Sequence, residues 1–558
     1  MSSKKLRRDF LSFFEKRGHR IVPSSSLIPT DPSVLLTSAG MQQFKPYYLG
    51  ERSPYGLNVV SCQKCFRTSD IDEVGDESHL TFIEMLGNFS FGGYFKTEAI
   101  KLAYEFLFKE LKLPLKDAVF TVFEGDQNVP ADTEAILIWK KLGISENKIK
   151  KCPRVDNFWG PTGDEGPCGP TTEIHFKNVE LWNLVFNEYY QDKNGKLILL
   201  KQKGVDTGMG LERLAMVCQQ KPSVYETDLF EPIMKEISSQ NEKVKRIIAD
   251  HIKGVVFLIS EEIFPSNVER GYVLRRILRK AIRYGKILGL GSGFLIPLAQ
   301  KVIEIYKDIY PEVKSKEADI LTVIQKEEEK FSKSIEEGIK KFKKVAKKGY
   351  ITGEEAFHLY DTHSLPLDMT QELAKEYRVR VEEGFEEAFK KHQEISRAGV
   401  EKKFGRHPPT TRKAGYQMAK LHTATHLLHQ ALREVLGFQV KQMGSDITPQ
   451  RLRFDFSHFQ KMTDKEIKKV EEIVNQKIKE DLEVKREEMA YEKAIEQGAL
   501  AFFKEKYPPI VTVYSINNWS KEICAGPHVS RTFELGRFKI IKEETSGAGV
   551  RRIRAILE

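Results

Sequence analysis

Two changes of texture along the chain limit its possible folds more than any single motif does. Up to about residue 230, short β-branched and aromatic runs alternate with Gly/Pro-rich turns: GLNVVSC at 56–62, AVFTVFE at 118–124, TTEIHF at 171–176 and LILLKQK at 197–203. That pattern predicts a mostly antiparallel sheet flanked by helices. From 233 to 403 the periodicity turns helical and Lys/Glu-rich, and the lysines at 340–348 read as a solvated face. FGRHPPTTRKAG at 404–415 has linker composition. Residues 416–558 open on an amphipathic helix, MAKLHTATHLLHQALREVLG, pass through strand-like RLRFDFSHF, and end in FKIIKEE and VRRIRAIL, an α+β pattern. The expectation is a multi-domain α+β protein with domains at 1–232, 233–403 and 416–558 and a linker at 404–415. At roughly 100–200 residues per domain, 558 residues hold them comfortably.

Several function classes drop out. Neither GxGxxG nor GxxxxGK[ST] occurs, so the dinucleotide and P-loop signatures are absent. The start, MSSKKLRRDFLSFFEKRGHR, has no apolar core of a signal peptide, and runs such as VVFLI at 255–259 fall far short of the roughly 20 residues that span a bilayer. A cytoplasmic location with no membrane partner is expected. Lys and Arg number 89 against 79 Asp and Glu, and the net +10 suits a polyanionic partner without requiring one. Six cysteines are too few for a disulfide framework.

Four constellations carry chemistry. His422 and His426 stand one helical turn apart, and CAGPH at 524–528 offers Cys524 and His528. Two imidazoles on one helix face and a Cys/His pair on a Gly-Pro turn suit a tetrahedral zinc site, although such a pair also occurs on a plain helix face. His429, a turn further on, reads as a structural histidine. CQKC at 62–65 has zinc-knuckle spacing but no second pair, and reads as strand. FRTSDIDEVGDESHLTFIEML at 66–86 reads as a hairpin carrying Arg67 and His79, and DTGMGLERLAM at 206–216 places Gly208 and Gly210 before a helix with Arg213, so that backbone and guanidinium can approach one ligand. In GYVLRRILRKAIRYGK at 271–286, Leu274, Ile277, Leu278, Ala281 and Ile282 form a core stripe, while Arg275, Arg279 and Arg283 align as a basic rail for phosphates or a solvated face.

Taken together and in this order, these segments resemble the class II aminoacyl-tRNA synthetases, in the wording of the alanyl family. SSSLIPTDPSVLLTSAGMQQFKPYYLG, FIEMLGNFSFGGYF, GPCGPTTEIHF, LWNLVFNEY, DTGMGLERLA, GYVLRRILRKAIRYG, HTATHLLH, RFDFSHF and CAGPHVSRT all match, over nearly the whole chain. The resemblance implies ATP-dependent activation of L-alanine with Mg²⁺, then transfer to the 3′ end of tRNA(Ala). It gives Arg67, Asp206 and Arg213 catalytic roles. Arg67, His79, Glu84, Gly208, Gly210 and Arg213 would hold ATP. Arg67, Trp159, Asn183, Val185 and Asp206 would hold alanine, Asp206 taking the ammonium. Arg275, Arg279, Arg283, Lys286 and Asp361 would meet tRNA in a helical recognition domain.

A pocket sized for alanine excludes glycine and serine by only a few kcal/mol, so a hydrolytic second sieve is required. The resemblance assigns it to the last domain, with His422, His426, Cys524 and His528 holding one Zn²⁺ that serves the hydrolysis of Ser-tRNA(Ala) and Gly-tRNA(Ala). Three departures from the family pattern stand out. The β-barrel segment usual before HTATH is missing, and no C-terminal domain follows VRRIRAILE, which implies a monomer. Tyr284-Gly285-Lys286 stands where bacterial relatives read HGN, which puts readout of the acceptor-stem G·U pair in doubt, although Asp361 matches the second reader. Two competing readings are a trans-editing hydrolase and a non-catalytic tRNA-binding paralogue.

Overall fold

The computed structural model describes residues 1–31, 33–267, 269–363, 365–388, 390, 412–437, 440–458, 460–501, 508–547 and 549–558. Two compact units result: residues 1–263 with 268–336, and 264–267 with 337–558. The division between the units falls within the helix Glu317–Ala346, and Glu242–Ser260 packs directly on the strand Phe82–Phe91 of the first unit. Of the expected linker, 404–411 lies outside the described residues, and 412–415 already belongs to the helix Arg412–Leu436.

The first unit is built on a nine-stranded sheet: β1 (Arg20–Ile21), β2 (Asn58–Phe66), β3 (Phe82–Phe91), β4 (Ala118–Phe123), β5 (Ile149–Cys152), β6 (Phe158–Trp159), β7 (Gly166–Phe176), β8 (Val179–Gln191) and β9 (Leu197–Gly210). Their order is β1-β2-β3-β9-β8-β7-β4-β5, with β6 beside β7. Only the β1–β2 and β4–β5 pairings are parallel, so the expected antiparallel sheet is present. The four runs read as strands before residue 204 overlap β2, β4, β7 and β9.

Helices with apolar stripes cover the sheet face that carries Phe82, Leu86 and Trp182. Ser3–Glu15 buries Leu6, Phe10, Phe13 and Phe14, and Phe10 packs against Phe106 and Trp182. Glu242–Ser260 is buried from Ile247 onward and stacks Phe257 on Phe82 of β3, with ring centroids 3.8 Å apart. Glu269–Ile287 packs beside it and buries the predicted stripe Leu274, Ile277, Leu278, Ala281 and Ile282.

In the second unit, Arg412–Leu436 and Asp464–Lys479 pack on a four-stranded antiparallel sheet, Gln442–Thr448, Arg451–Ser457, Val550–Leu557 and Phe538–Gly547 in that order. Leu421, Leu428, Leu432, Phe454, Phe456, Val474 and Ile553 make the core between them. A three-stranded sheet, Val484–Ala490, Ile510–Ile516 and Ser520–Ile523, carries the turn with Cys524 at its end. The α+β expectation for this region holds.

Candidate active site and candidate metal centre

β9 meets β8 on one side and β3 on the other, and the register sets which side chains share a face. Glu173, Asn183 and Gly208 form one cross-strand row, and Thr171, Val185 and Asp206 the next. Side chains alternate along a strand, so all of these face the same side as Met85, the register partner of Gly210. Two adjoining cavities open there. One is lined by Arg67, Ser78, Leu80, Ile83, Met85, Glu180, Gly208, Gly210, Glu212 and Arg213. The other holds Ala39, Arg67, Asp156, Trp159, Glu173, Asn183, Val185 and Asp206. Arg67, Met85, Glu180 and Gly208 line both.

Arg67 is fixed at the root of its hairpin. Its N–H donates to Thr81 O at 2.8 Å, and Thr81 in turn donates from N and Oγ1 to the buried Asp250 at 2.9 and 2.7 Å. Arg213 Nη1 donates to Glu180 O at 2.9 Å and Oε2 at 3.2 Å. A Cβ at position 208 would stand 3.0 Å from Met85 Sδ, so the glycine keeps the shared wall open. Asp206 is 5 % exposed, and burial pushes its carboxyl up to about 7. A nearby cation would restore its charge.

The structure brings Arg67, Trp159, Asn183, Val185, Asp206, Gly208, Gly210 and Arg213 together; His79, its ring bonded to Asp76, lines neither cavity, although Ser78 and Leu80 beside it line the first. Glu84 does not join them. It alternates with Ile83 and Met85 and therefore points through the sheet, fully buried, into a paired contact with Arg7 at 2.9 and 2.6 Å, with Tyr310 Oη also donating at 2.9 Å. Glu84 is a structural ion-pair partner, not a cleft residue. Sequence reasoning missed Met85 and Glu180; Met85 was within reach of the period-two rule, whereas Glu180 has no local signal.

The basic rail is also corrected. Arg279 and Arg283 are 4 % and 1 % exposed, and Glu327 of the neighbouring helix accepts from Arg279 Nε at 2.7 Å and Arg275 Nε at 3.2 Å. These arginines form a seam inside the unit. Lys286 is more open and donates to Ser332 O and Glu336 Oε1, both at 2.7 Å. Asp361 is exposed on the helix Gly353–His363 of the second unit. CQKC is strand: Cys62 and Cys65 pair with Leu86 and Ile83, on opposite faces, and burial pushes the Cys65 thiol up to about 12.

In the second unit the ligand atoms of His422, His426, Cys524 and His528 lie within 4.8 Å of one another. His422 Nε2 is 3.4 Å from Cys524 Sγ. Thr423 Oγ1 sits 3.1 Å from His528 Nδ1 and accepts from Val529 N at 3.2 Å, tying the CAGPH turn to the helix. His528 Nε2 is thereby left buried without a partner, as is His426 Nδ1. A Cβ at Gly526 would overlap the His422 ring at 1.9 Å, so only glycine closes this turn. Burial, reinforced by His426, lowers His422 to about 4; burial and both neighbouring imidazoles lower His528 further. These imidazoles are neutral at neutral pH, the ligand form. Three imidazoles and a thiol with their ligand atoms this close together fit Zn²⁺ and suit Mg²⁺ or Ca²⁺ poorly. Glu522 accepts from His429 Nδ1 at 2.9 Å and lies 3.7 Å from His426 Nδ1, so His429 is a structural partner, as its position suggested.

The family described as "tRNA synthetases class II (A)" matches residues 5–448, and "Threonyl and Alanyl tRNA synthetase second additional domain" matches 511–554. The chain belongs to the class II tRNA synthetases, in their alanine–tRNA ligase branch. Alanine–tRNA ligase of Borreliella afzelii is 47 % identical with 100 % of each chain aligned. That of Treponema pallidum is 45 % identical over 99 % of this chain and 98 % of its own, and that of Dehalococcoides mccartyi 38 % over 100 % and 80 %. No described helix is long and apolar enough to cross a membrane.

Proposed function

We propose that the chain activates L-alanine with ATP and Mg²⁺ and transfers it to the 3′ end of tRNA(Ala), and that its second unit hydrolyses Ser-tRNA(Ala) and Gly-tRNA(Ala). One observation carries this reading: Arg67 lines two adjoining cavities, one containing the buried Asp206 with Val185 and Trp159, the other containing Gly208, Gly210 and Arg213. The alanine ammonium meets Asp206 and the methyl group meets Val185. The carboxylate lies beside Arg67, and the triphosphate extends toward Arg213. A carboxylate oxygen attacks the α-phosphorus, the bond to the bridging oxygen breaks, and pyrophosphate leaves. A terminal hydroxyl of the tRNA then attacks the alanyl carbonyl and AMP departs. Arg67 spans the site where charge moves, and fixed placement of both substrates supplies much of the acceleration.

Residues 1–232 form the aminoacylation domain, 233–403 the tRNA-recognition domain and 416–558 the editing domain in this reading. Lys286 and Asp361 remain its candidate tRNA contacts. His422, His426, Cys524 and His528 would hold zinc, which supplies a Lewis acid for ester or water. Glu522 keeps His426 and His429 in place. In this reading the activity is cytoplasmic. Alanine-dependent ATP–pyrophosphate exchange tests the whole: robust exchange with alanine is expected, and a folded, tRNA-binding chain without it would leave only the editing or binding readings.

A further inference from the structure

The alanine-side cavity contains a buried acceptor that the protein itself does not satisfy. Asn183 lines it beside Asp206 and Val185, yet Asn183 Oδ1 is buried with no hydrogen-bond partner. Its other end is well held. Asn183 Nδ2 donates to Glu173 Oε1 at 2.9 Å, across the strand pair where the two residues are register partners. Glu173 is 8 % exposed; its Oε2 lies 2.8 Å from His175 Nε2 and 3.4 Å from Thr121 Oγ1. An ionised carboxylate accepts hydrogen bonds and donates none. It therefore keeps the amide nitrogen of Asn183 turned toward itself and the amide oxygen turned away.

We propose that Glu173 is a positioning residue that, clamped by His175, orients Asn183 so that Oδ1 accepts a hydrogen bond from the ammonium of bound alanine. An ammonium carries three donors, and in a closed pocket each one left unmade carries a desolvation penalty. Asp206 answers part of that demand, and Asn183 Oδ1 answers another part on the same sheet face, one row away. Without Glu173 the amide can turn over and present its NH₂ to the ammonium, donor against donor. The effect is confined to the amino group, because the ATP-side lining includes neither Asn183 nor Glu173.

This inference rests on alanine being the substrate. Steady-state pyrophosphate exchange on the full chain tests it, with alanine and ATP varied in turn. Glu173→Ala should raise the KM for alanine about tenfold, the scale of one hydrogen bond to a charged group, with the KM for ATP within about twofold. Glu173→Gln, equal in size and still able to accept, should fall between it and the unaltered protein, and it decides the question if Glu173→Ala fails to fold. In an Asn183→Ala background, Glu173→Ala should add little, since both act through one contact. Equal rises in both KM values, additive effects in the double variant, or an unchanged alanine KM in both single variants would overturn the positioning role alone. No alanine-dependent exchange in the unaltered protein would instead remove the substrate and this inference with it.

Discussion

Val185 and Asp206 are register partners on adjacent strands, so the side chain that limits the pocket and the carboxyl at its floor project from one face side by side. Burial raises the Asp206 carboxyl to about 7.

The first prediction follows from that value. Alanine needs the ionised carboxylate, so its KM should fall about tenfold per pH unit as pH rises toward 7 and flatten above it. Asp206→Asn should bind alanine weakly with a flat profile over that range. For stability the sign is opposite to a paired carboxylate. The folded chain holds the Asp206 proton more tightly than the unfolded chain, so stability is lost between about pH 4 and pH 7. Asp206→Asn should therefore melt higher than the unaltered protein above pH 7 and gain nothing below pH 4.

Arg67 and Glu84 should separate chemistry from folding. Arg67→Ala is expected to abolish alanine-dependent exchange in a folded protein while Ser-tRNA(Ala) hydrolysis continues. Glu84→Ala leaves the buried Arg7 without its partner and should cost about 3–5 kcal/mol of stability by denaturant titration. An ATP KM that rises in Glu84→Ala without loss of stability would return Glu84 to the cleft.

Lys286→Ala should weaken charging of G·U and G·C acceptor stems alike and lower the salt slope of tRNA binding by about one, as expected of a phosphate contact. Arg279→Ala should leave that slope unchanged and reduce stability, since Arg279 is spent on Glu327. A loss restricted to the G·U stem would make Lys286 a base reader.

The metal centre predicts one zinc per chain at neutral pH, measured by elemental analysis. Cys524→Ala should bind less than one and accumulate Ser-tRNA(Ala), with alanine activation within about twofold of the unaltered rate. Zinc should be retained near pH 7 and released on acidification as the imidazoles take up protons, His422 at about 4 in the free site. Wild-type protein without zinc, and a Cys524→Ala variant that still clears Ser-tRNA(Ala), would dismiss the site.

What was legible in the sequence was mostly what repeats at short range. The His422/His426 spacing is a helical period, the Cys524–His528 turn is local, and both survive folding as neighbours. The strand runs gave away the sheet for the same reason. The resemblance places Glu84 with ATP, but the alternation of a strand sends every second residue to the far face, where Glu84 meets Arg7. The Arg275/Arg279/Arg283 stripe looked like a phosphate rail because nothing local announces Glu327, some fifty residues further on, as its partner. Glu180 and the Glu173–Asn183 pair were invisible for want of register, which only the folded sheet supplies.

The alternation along β3 has an evolutionary corollary. Ile83 and Met85 face the cleft while Glu84 and Leu86 face the helices behind it. Point substitutions on either side can be selected independently, because each touches one face. A single-codon insertion or deletion within Phe82–Phe91 cannot: it would exchange the two sets at once, driving a carboxylate toward the nucleotide and a thioether toward Arg7. This strand should therefore vary in its letters among relatives and never in its length.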